Sequence, residues 1–534
     1  MGRTILSAMA IMCGLVALCG LAGAGDVWYV DDDAPADFST IQAAIDAASD
    51  GDTIIVRDGY YTGEGNRDID FKGKAVHLKS ENGPENCIID CQQQGRAFKF
   101  HTGEDENSIL DGFTITGGYE RLGGGILCDT CSPTIVNNII SGNEAYVQGG
   151  GIMSYTASAW IIGNIVTDNA AISELGTHWT YGSGGGIFCD RLSAPVIMAN
   201  IIARNVATNN GAGICCENHP TVQIVNNTIA HNTAGGKGGG IYSWSGAVVT
   251  VTNSILWGNR AENGNEIALR GSVSGTENSS LVVSYSDVAG GENSVYVEPG
   301  GELGWGSGNI DADPLFADPE NSDFHLKSKG GRWNPATETW IADEVTSPCV
   351  DAGDPASDVP YEPEPNGNIR NMGAYGNTAE ASKTNCPSLT VRSHPLSSLS
   401  IMGDHPGNTP YAVGCEEGEL VELALDEPLS IVSDDQLYKF AYWVIDGVPK
   451  PHEATTVTVS IDGHHTATAV YNLFADANGD CAVNVLDLIF VRNRLGLNPN
   501  TGDNWRADVV TGDGAINVLD LIAVRNYLGT KCGE

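Results

Sequence analysis

GGGIL at Gly123–Leu127, GGGIM at Gly149–Met153, GGGIF at Gly184–Phe188, GAGIC at Gly211–Cys215 and GGGIY at Gly238–Tyr242 are one phrase written five times. Successive copies start 26, 35, 27 and 27 residues apart. A second phrase closes on Asn143, Asn169, Asn205, Asn232 and Asn259, at spacings of 26, 36, 27 and 27, so the two keep step. A fixed period of this size marks a solenoid. The repeated segments are short, rich in Ile and Val, and alternate apolar with other residues, which is strand behaviour. Glycine and Asn or Asp between them supply positive φ at tight turns. The repeat has no room for a pair of helices. It suits one coil of three short strands and three turns, with coils stacked at about 4.8 Å into parallel sheets. The expected fold class is mostly β, a right-handed parallel β-helix. Stacked Ile side chains fill its interior, and asparagines at an inward turn bond the next coil's backbone.

The chain carries 67 acidic against 27 basic residues, a formal net charge of -40. Such a surface repels nucleic acid and anionic membrane and suits calcium or neutral glycans. Residues 1–24 read as a signal peptide: Arg3, an apolar run over Ile5–Leu21, then Ala22-Gly23-Ala24 as a cleavage site. No later stretch approaches the ~18 apolar residues of a membrane span. An extracellular or cell-surface location follows. Two of the 14 cysteines lie in the leader, which leaves an even number for the exported part.

After the leader, Val27–Val30 reads as a strand. Ser39-Thr-Ile-Gln42 matches a capping box. Ile41, Ala44, Ile45 and Ala48 recur at helical spacing up to Gly51, which predicts a helix over the open end of the solenoid. Strands are expected at Thr53–Arg57, Ala75–Lys79, Cys87–Asp90, Ala97–Phe100 and Ile109–Ile115. The run STIQAAIDAASDGDTIIVRDGYY at Ser39–Tyr61 resembles the amino end of pectin-lyase-like β-helix proteins, which include pectin methylesterases and polygalacturonases. The resemblance spans roughly residues 27–290 and implies the fold. The catalytic motifs of those enzymes have no counterpart here: Gly59, Tyr61 and Gly63 match the esterase G-x-Y-x-E only in part. The repeats resemble adhesin-type surface β-helix proteins equally well.

Alternation assigns faces. If Ile126, Ile152, Ile187, Ile214 and Ile241 point inward, so do Cys128, Ser154, Cys189, Cys216 and Ser243. The outward file is then Asp129, Tyr155, Asp190, Glu217 and Trp244, beside Leu127, Met153, Phe188, Cys215 and Tyr242. Acids next to aromatics suit a glycan, since rings stack on sugars and carboxylates accept from hydroxyls. Asp190 and Glu217 would be ladder neighbours at about 4.8 Å. Two carboxylates that close raise one pKa or recruit a cation, and so are the candidate catalytic pair. The longer coil adds Ala171–Ser183, with Glu174, His178, Trp179 and Tyr181. The candidate substrate-binding residues are Asp129, Tyr155, Trp179, Arg191, His219 and Trp244.

From Asp311 the repeat fades. SPCVDAGDP at Ser347–Pro355 and NIRNMGAYG at Asn368–Gly376 resemble the closing segment of bacterial surface β-helix proteins, which implies a cap and final coils. Alternating strands at Leu389–Arg392, Leu420–Leu425, Lys439–Ile445, Thr456–Ile461 and Ala467–Tyr471 predict a small β-sandwich. Its Trp443-Val-Ile-Asp-Gly and Thr466–Tyr471 phrases resemble bacterial Ig-like repeats. The last stretch holds NVLDLIFVRNRLG at Asn484–Gly496 and NVLDLIAVRNYLG at Asn517–Gly529, identical at 11 of 13 positions. Ahead of the first, oxygen side chains at Asp476, Asn478, Asp480, Asn484 and Asp487, with the Ala482 carbonyl, match an EF-hand calcium loop. Such a pair of loop–helix repeats resembles a type I dockerin over Phe474–Gly529. The resemblance implies Ca2+ as cofactor, a cohesin-type scaffold as partner, and a second site from Asp508, Thr511, Asp513, Asn517 and Asp520. The recognition pairs fall at Val485-Leu486 and Val518-Leu519.

The expected divisions are 1–24 signal peptide, 25–381 β-helix, 382–472 Ig-like sandwich and 473–534 dockerin-like calcium-binding module. Three functions compete. One is a polysaccharide-binding or polysaccharide-degrading component docked through its tail. The second is a surface adhesin or structural protein. The third is a calcium-dependent lyase acting on a uronide-type glycan.

Overall fold

The computed structural model describes residues 25–173, 181–271, 277–384, 388–396, 399–415, 419–426, 430–433, 436–451, 454–461, 465–477, 482–497, 507, 515–516 and 518–528. They fall into two compact units, Met1–Asn385 and Cys386–Glu534.

The first unit is a right-handed parallel β-helix. Three sheets run along it: eleven strands from Val27–Val30 to Gly301–Trp305, nine from Ile69–Asp70 to Tyr296–Val297, and nine from Gly59–Thr62 to Asp287–Val288. The glycine-led strands Ile126–Asp129, Ile152–Tyr155, Ile187–Asp190, Ile214–Glu217 and Ile241–Trp244 are consecutive in the second of these. Their isoleucines pair one on one through all five coils. These isoleucines are fully buried, as is the file of Cys128, Ser154, Cys189, Cys216 and Ser243. Each such Ile contributes about 1.5–3 kcal/mol of burial.

Two expectations about the coil need correcting. The coil has a fourth side, a sheet of five short strands from Tyr119–Leu122 to Thr233–Ala234. Ile109–Ile115 is also two strands, Ile109–Asp111 and Thr114–Thr116, because the chain turns at Gly112 with φ +81°.

The asparagines form a ladder. Each Oδ1 accepts from the backbone N–H and the Nδ2 of the coil before: Asn143 on Asn169 (3.1 and 3.0 Å), Asn169 on Asn205 (3.0 and 3.1 Å), Asn205 on Asn232 (2.9 and 3.0 Å). The Nδ2 groups also reach backward to Ile115 O, Ile140 O and Val166 O. The ladder ends on the Glu266 carboxylate, which accepts from Asn259. Burial pushes that carboxyl up to about 7, against the hydrogen bonds from Asn259. A second buried file, Asn138, Asn164, Asn200 and Asn227, does the same at the preceding corner.

At the amino end the helix Ile41–Ala47 buries Ile41, Ala44 and Ile45 against the first coils. The capping box does not form. Thr40 is the N-cap and its side chain caps nothing. Asn66 Oδ1, a coil later, accepts from Ile41 N at 3.0 Å instead, and Lys74 Nζ donates to the carbonyls of Ile45, Asp46 and Ala48 at the other end.

The segment after Asp311 does not add final coils. It returns along the outer face of the third sheet. Phe316, Phe324, Leu326, Cys349, Val350, Met372 and Ala374 pack on Ile201, Ala203, Ala230 and Ile255. Gly373 N bonds Asn253 O at 2.8 Å, Ala374 N bonds Thr228 Oγ1 at 3.0 Å, and Asn226 Nδ2 bonds Asn371 O at 3.1 Å. His325 anchors the turn of this segment. It is wholly buried between Asp323 (2.6 Å) and Glu380 (3.2 Å), under the Tyr375 ring at 3.6 Å. Burial alone lowers its pKa, but the two carboxylates outweigh that and raise it, which favours the cationic ring.

The second unit holds a β-sandwich of two sheets, one around Ser388–His394, His465–Leu473 and Gln436–Ile445, the other around Leu420–Leu425 and Thr456–Ser460. Its core of Leu389, Val421, Trp443 and Ala467 continues into the tail through Ala475, Ala477, Val483, Val491 and Val524. Helices Val485–Arg492 and Val518–Asn526 pack on each other there.

Candidate functional site

The candidate catalytic pair stands where strand register puts it. Asp190 and Glu217 are ladder partners, with Tyr155 before them and Trp244 after. Asp129 pairs with Tyr155, so the five residues are one continuous file. The file faces away from the coil interior, but it is not open along its length. Asp190, Glu217 and Trp244 are 7%, 5% and 5% exposed. Asp129 and Tyr155 are half-buried, and Arg191 and His219 are exposed.

The glycine phrase explains the burial. Gly184 has φ +71°, and a Cβ there would lie 2.7 Å from Phe188 Cβ. Gly211, at φ +59°, would meet Cys215 Cβ at 2.6 Å. These turns fold back over the outward side chains of their own strands, and only glycine permits that approach. Leu127, Met153, Phe188, Cys215 and Tyr242 are accordingly a second apolar cluster outside the coil, together with Trp244. The expectation that this neighbouring file offers rings to a sugar is corrected: its side chains are at most 8% exposed.

Burial splits the two carboxylates. It raises both, and Glu217, which also feels the charge of Asp190, is pushed up to about 8. Asn218 Nδ2 donates to Asp190 Oδ1 at 2.8 Å and holds that group's charge. Glu217, at about 8, keeps its proton at neutral pH, while the Asn218 hydrogen bond favours the charged form of Asp190 against its burial. One acid and one base side by side is an arrangement that supports proton transfer. Asn218 was missed in the sequence. It follows Glu217 directly but lies outside the strand, in a left-handed turn at φ +62°, so alternation does not assign it a face. Arg191 lies over the Tyr155 ring at 5.3 Å, and His219 pairs with Glu277 at 2.9 Å. Trp179, with Glu174 and His178, lies outside the described residues.

In the tail, Asp476, Ala482, Asn484, Asp487 and Asp520 are described, whereas Asn478, Asp480, Asp508, Thr511, Asp513 and Asn517 lie outside the described residues. Asn484 caps the first helix: its side chain accepts from Leu486 N, and Asp487 Oδ2 accepts from Asn484 N at 2.8 Å. Asp487 and Asp520, equivalent positions of the two copies, are both fully buried, and Asp476 is 6% exposed. Buried carboxylates at Asp476 and Asp487, with the Asn484 side chain and the Ala482 carbonyl in the same stretch, are hard-oxygen donors, a chemistry that fits calcium. The opposite face of each helix is bare: Leu486 is 54% exposed and Leu519 55%, with Ile489 and Ile522 beside them.

Among the described residues no helix is long and apolar enough to cross a membrane. A family model described as "Disaggregatase related" matches residues 132–353, and one described as "Dockerin type I domain" matches residues 474–529. No curated protein matches. Among solved structures, a crystal structure of pectate lyase Pel9A is similar at a TM-score of 0.40 and 16% identity, over 66% of this chain and 97% of that one. A pectin methylesterase from carrot is similar at a TM-score of 0.26 and 10% identity, over 55% of this chain and 85% of that one. The chain is a right-handed parallel β-helix protein that carries a type I dockerin domain at its carboxy end.

Proposed function

We propose that this protein is an exported polysaccharide-acting component, held to a cohesin-type scaffold module by its dockerin domain. The observation that carries the reading is the paired tail. Two helices at equivalent positions each bury an aspartate and each expose the same Leu and Ile. Buried carboxylates account for a calcium requirement, and the duplicated apolar faces account for a partner that can seat on either copy. When bound, calcium neutralises the loop carboxylates and fixes the loop; Asp476, Asn484, Asp487 and the Ala482 carbonyl would hold the first ion.

In the β-helix, the polysaccharide would meet the file around Asp190 and Glu217. Arg191 and His219 sit at its exposed rim, Asp129 and Tyr155 stand half-open at its start, and Trp244 closes it. If it cleaves, Glu217 gives a proton and Asp190 accepts one. On a uronide-type glycan the same pair would serve the lyase reading. A second reading has its own support. Both carboxylates are more than nine-tenths buried, which fits a surface adhesin that binds without cleaving.

Screening the full chain on pectins, alginates and xylans separates these. An unsaturated product absorbing in the ultraviolet means lyase, new reducing ends alone mean hydrolase, and retention without either means adhesin. No retention and no product from any polymer would remove the glycan reading. Cohesin capture that survives chelation of calcium, or that survives Leu486→Asp with Leu519→Asp, would remove the docking one.

A further inference from the structure

On five successive coils the residue just before the ladder asparagine adopts the left-handed conformation: Gly142, Asp168, Arg204, His231 and Gly258, with φ from +56° to +71°. They make a file at one outer corner of the solenoid. Arg204 is held by four partners, with Thr167 Oγ1 at 3.1 Å and Pro319 O at 3.5 Å besides the two that follow. It pairs with Asp168 at 3.2 Å, and its Nη2 donates to Ser322 Oγ of the returning segment at 2.7 Å. His231 comes next, and among the described residues its ring makes no hydrogen bond. The His231 ring packs directly on Gly258, where a Cβ would lie 2.9 Å from its Cε1. Arg260, two residues on, is exposed and has no side-chain hydrogen bond or ion pair among the described residues.

The returning segment supplies the far wall. The result is a one-sided cavity of about 220 Å³ between Arg204, His231, Thr233, Arg260 and Glu320, with Gly258 at its floor. Two guanidinium groups and an imidazole converge here on a chain whose net charge is -40. Burial, with both arginines adding to it, holds the His231 pKa below its usual value despite Glu320, so the ring is a neutral donor or acceptor at pH 7. The space is several times the ~30 Å³ share of one water, enough for a ring with a charged arm. A bare ion would leave it mostly empty.

We propose that this cleft binds a hexuronate-type sugar unit, its carboxylate on Arg260 and its hydroxyls on Thr233 and Glu320. A guanidinium suits a planar carboxylate, and a carboxylate opposite suits hydroxyl donors. The cleft lies on a different sheet from Asp190 and Glu217, so the two ideas fail separately.

The test titrates the full chain with galacturonate, glucuronate, galactose, acetate and sulfate by calorimetry. Arg260→Gln is the variant, and Asp190→Asn with Glu217→Gln is the control. One of the two uronates should bind at least about tenfold tighter than galactose and than either small anion, and Arg260→Gln should weaken it about tenfold or more with melting unchanged. Binding should persist in the control. A uronate no tighter than galactose, equal affinity for sulfate or acetate, an unaffected Arg260→Gln, or loss in the control would each overturn the assignment.

Discussion

The same coils carry two polar files that obey opposite rules. The inner one, Asn143 to Asn259, repeats one residue, and each member satisfies its neighbours. The outer one, Asp129, Tyr155, Asp190, Glu217 and Trp244, has equally strict register but changes identity at every coil. A ladder needs sameness, because each amide must both give and take at a fixed spacing. A position that is free to vary while the register holds has no such duty to the scaffold. The outer file also sets two carboxylates side by side in a dry setting, which costs stability. Scaffold and chemistry are thus separated within a single turn of chain.

The comparison can be broken by substitution. Asn205→Ala should do most damage. It strips an acceptor from Asn169 N and Nδ2 and a donor from Val166 O, all buried. The expected loss is about 3–5 kcal/mol in denaturant unfolding, and a loss under about 1 would mean that the ladder is ornamental.

Glu217→Gln should act in the other direction. Its folded pKa is raised to about 8 from an ordinary 4.5. The folded protein therefore keeps a proton that the unfolded chain releases, and stability falls as pH rises through that window. The variant should match the wild type near pH 4 and exceed it at pH 9 by up to a few kcal/mol, at about 1.36 per pH unit. Equal melting curves at pH 9 would end the claim that this carboxyl is held protonated.

At the amino cap, Asn66→Ala should cost about 1 kcal/mol by orphaning Ile41 N, whereas Thr40→Ala should cost under about 0.5, since that hydroxyl caps nothing. The reverse ranking in thermal unfolding would restore the capping box. Smallest of all, Asp129→Asn should leave stability within about 0.5 kcal/mol. Asp129 is half-buried at the end of the file, and among the described residues its side chain accepts only from adjacent Thr130.

Much of the solenoid was readable because its repeat is a register: the five Gly–Ile phrases predict which residues stack, and Asp190 does stand on Glu217. Alternation separates inside from outside but says nothing of what lies over an outward residue, so the cover on Phe188 and Cys215 was invisible. The fourth sheet escaped because strands such as Ala170–Ala171 and Val206–Ala207 are too short to show a period. The returning segment escaped because it has no repeat and its contacts are distant in sequence, as between Asn226 and Asn371. The dockerin was legible for the opposite reason, being a loop and helix written twice.

That returning segment makes the solenoid mechanically uneven. Bonded at Asn226, Thr228 and Asn253 and latched at Arg204, it spans several late coils like a splint. Those coils must come apart together, while the uncovered early ones are free to peel singly. Fraying, proteolytic nicking and exchange of backbone hydrogens should therefore advance from the amino end and stall at the splint's edge.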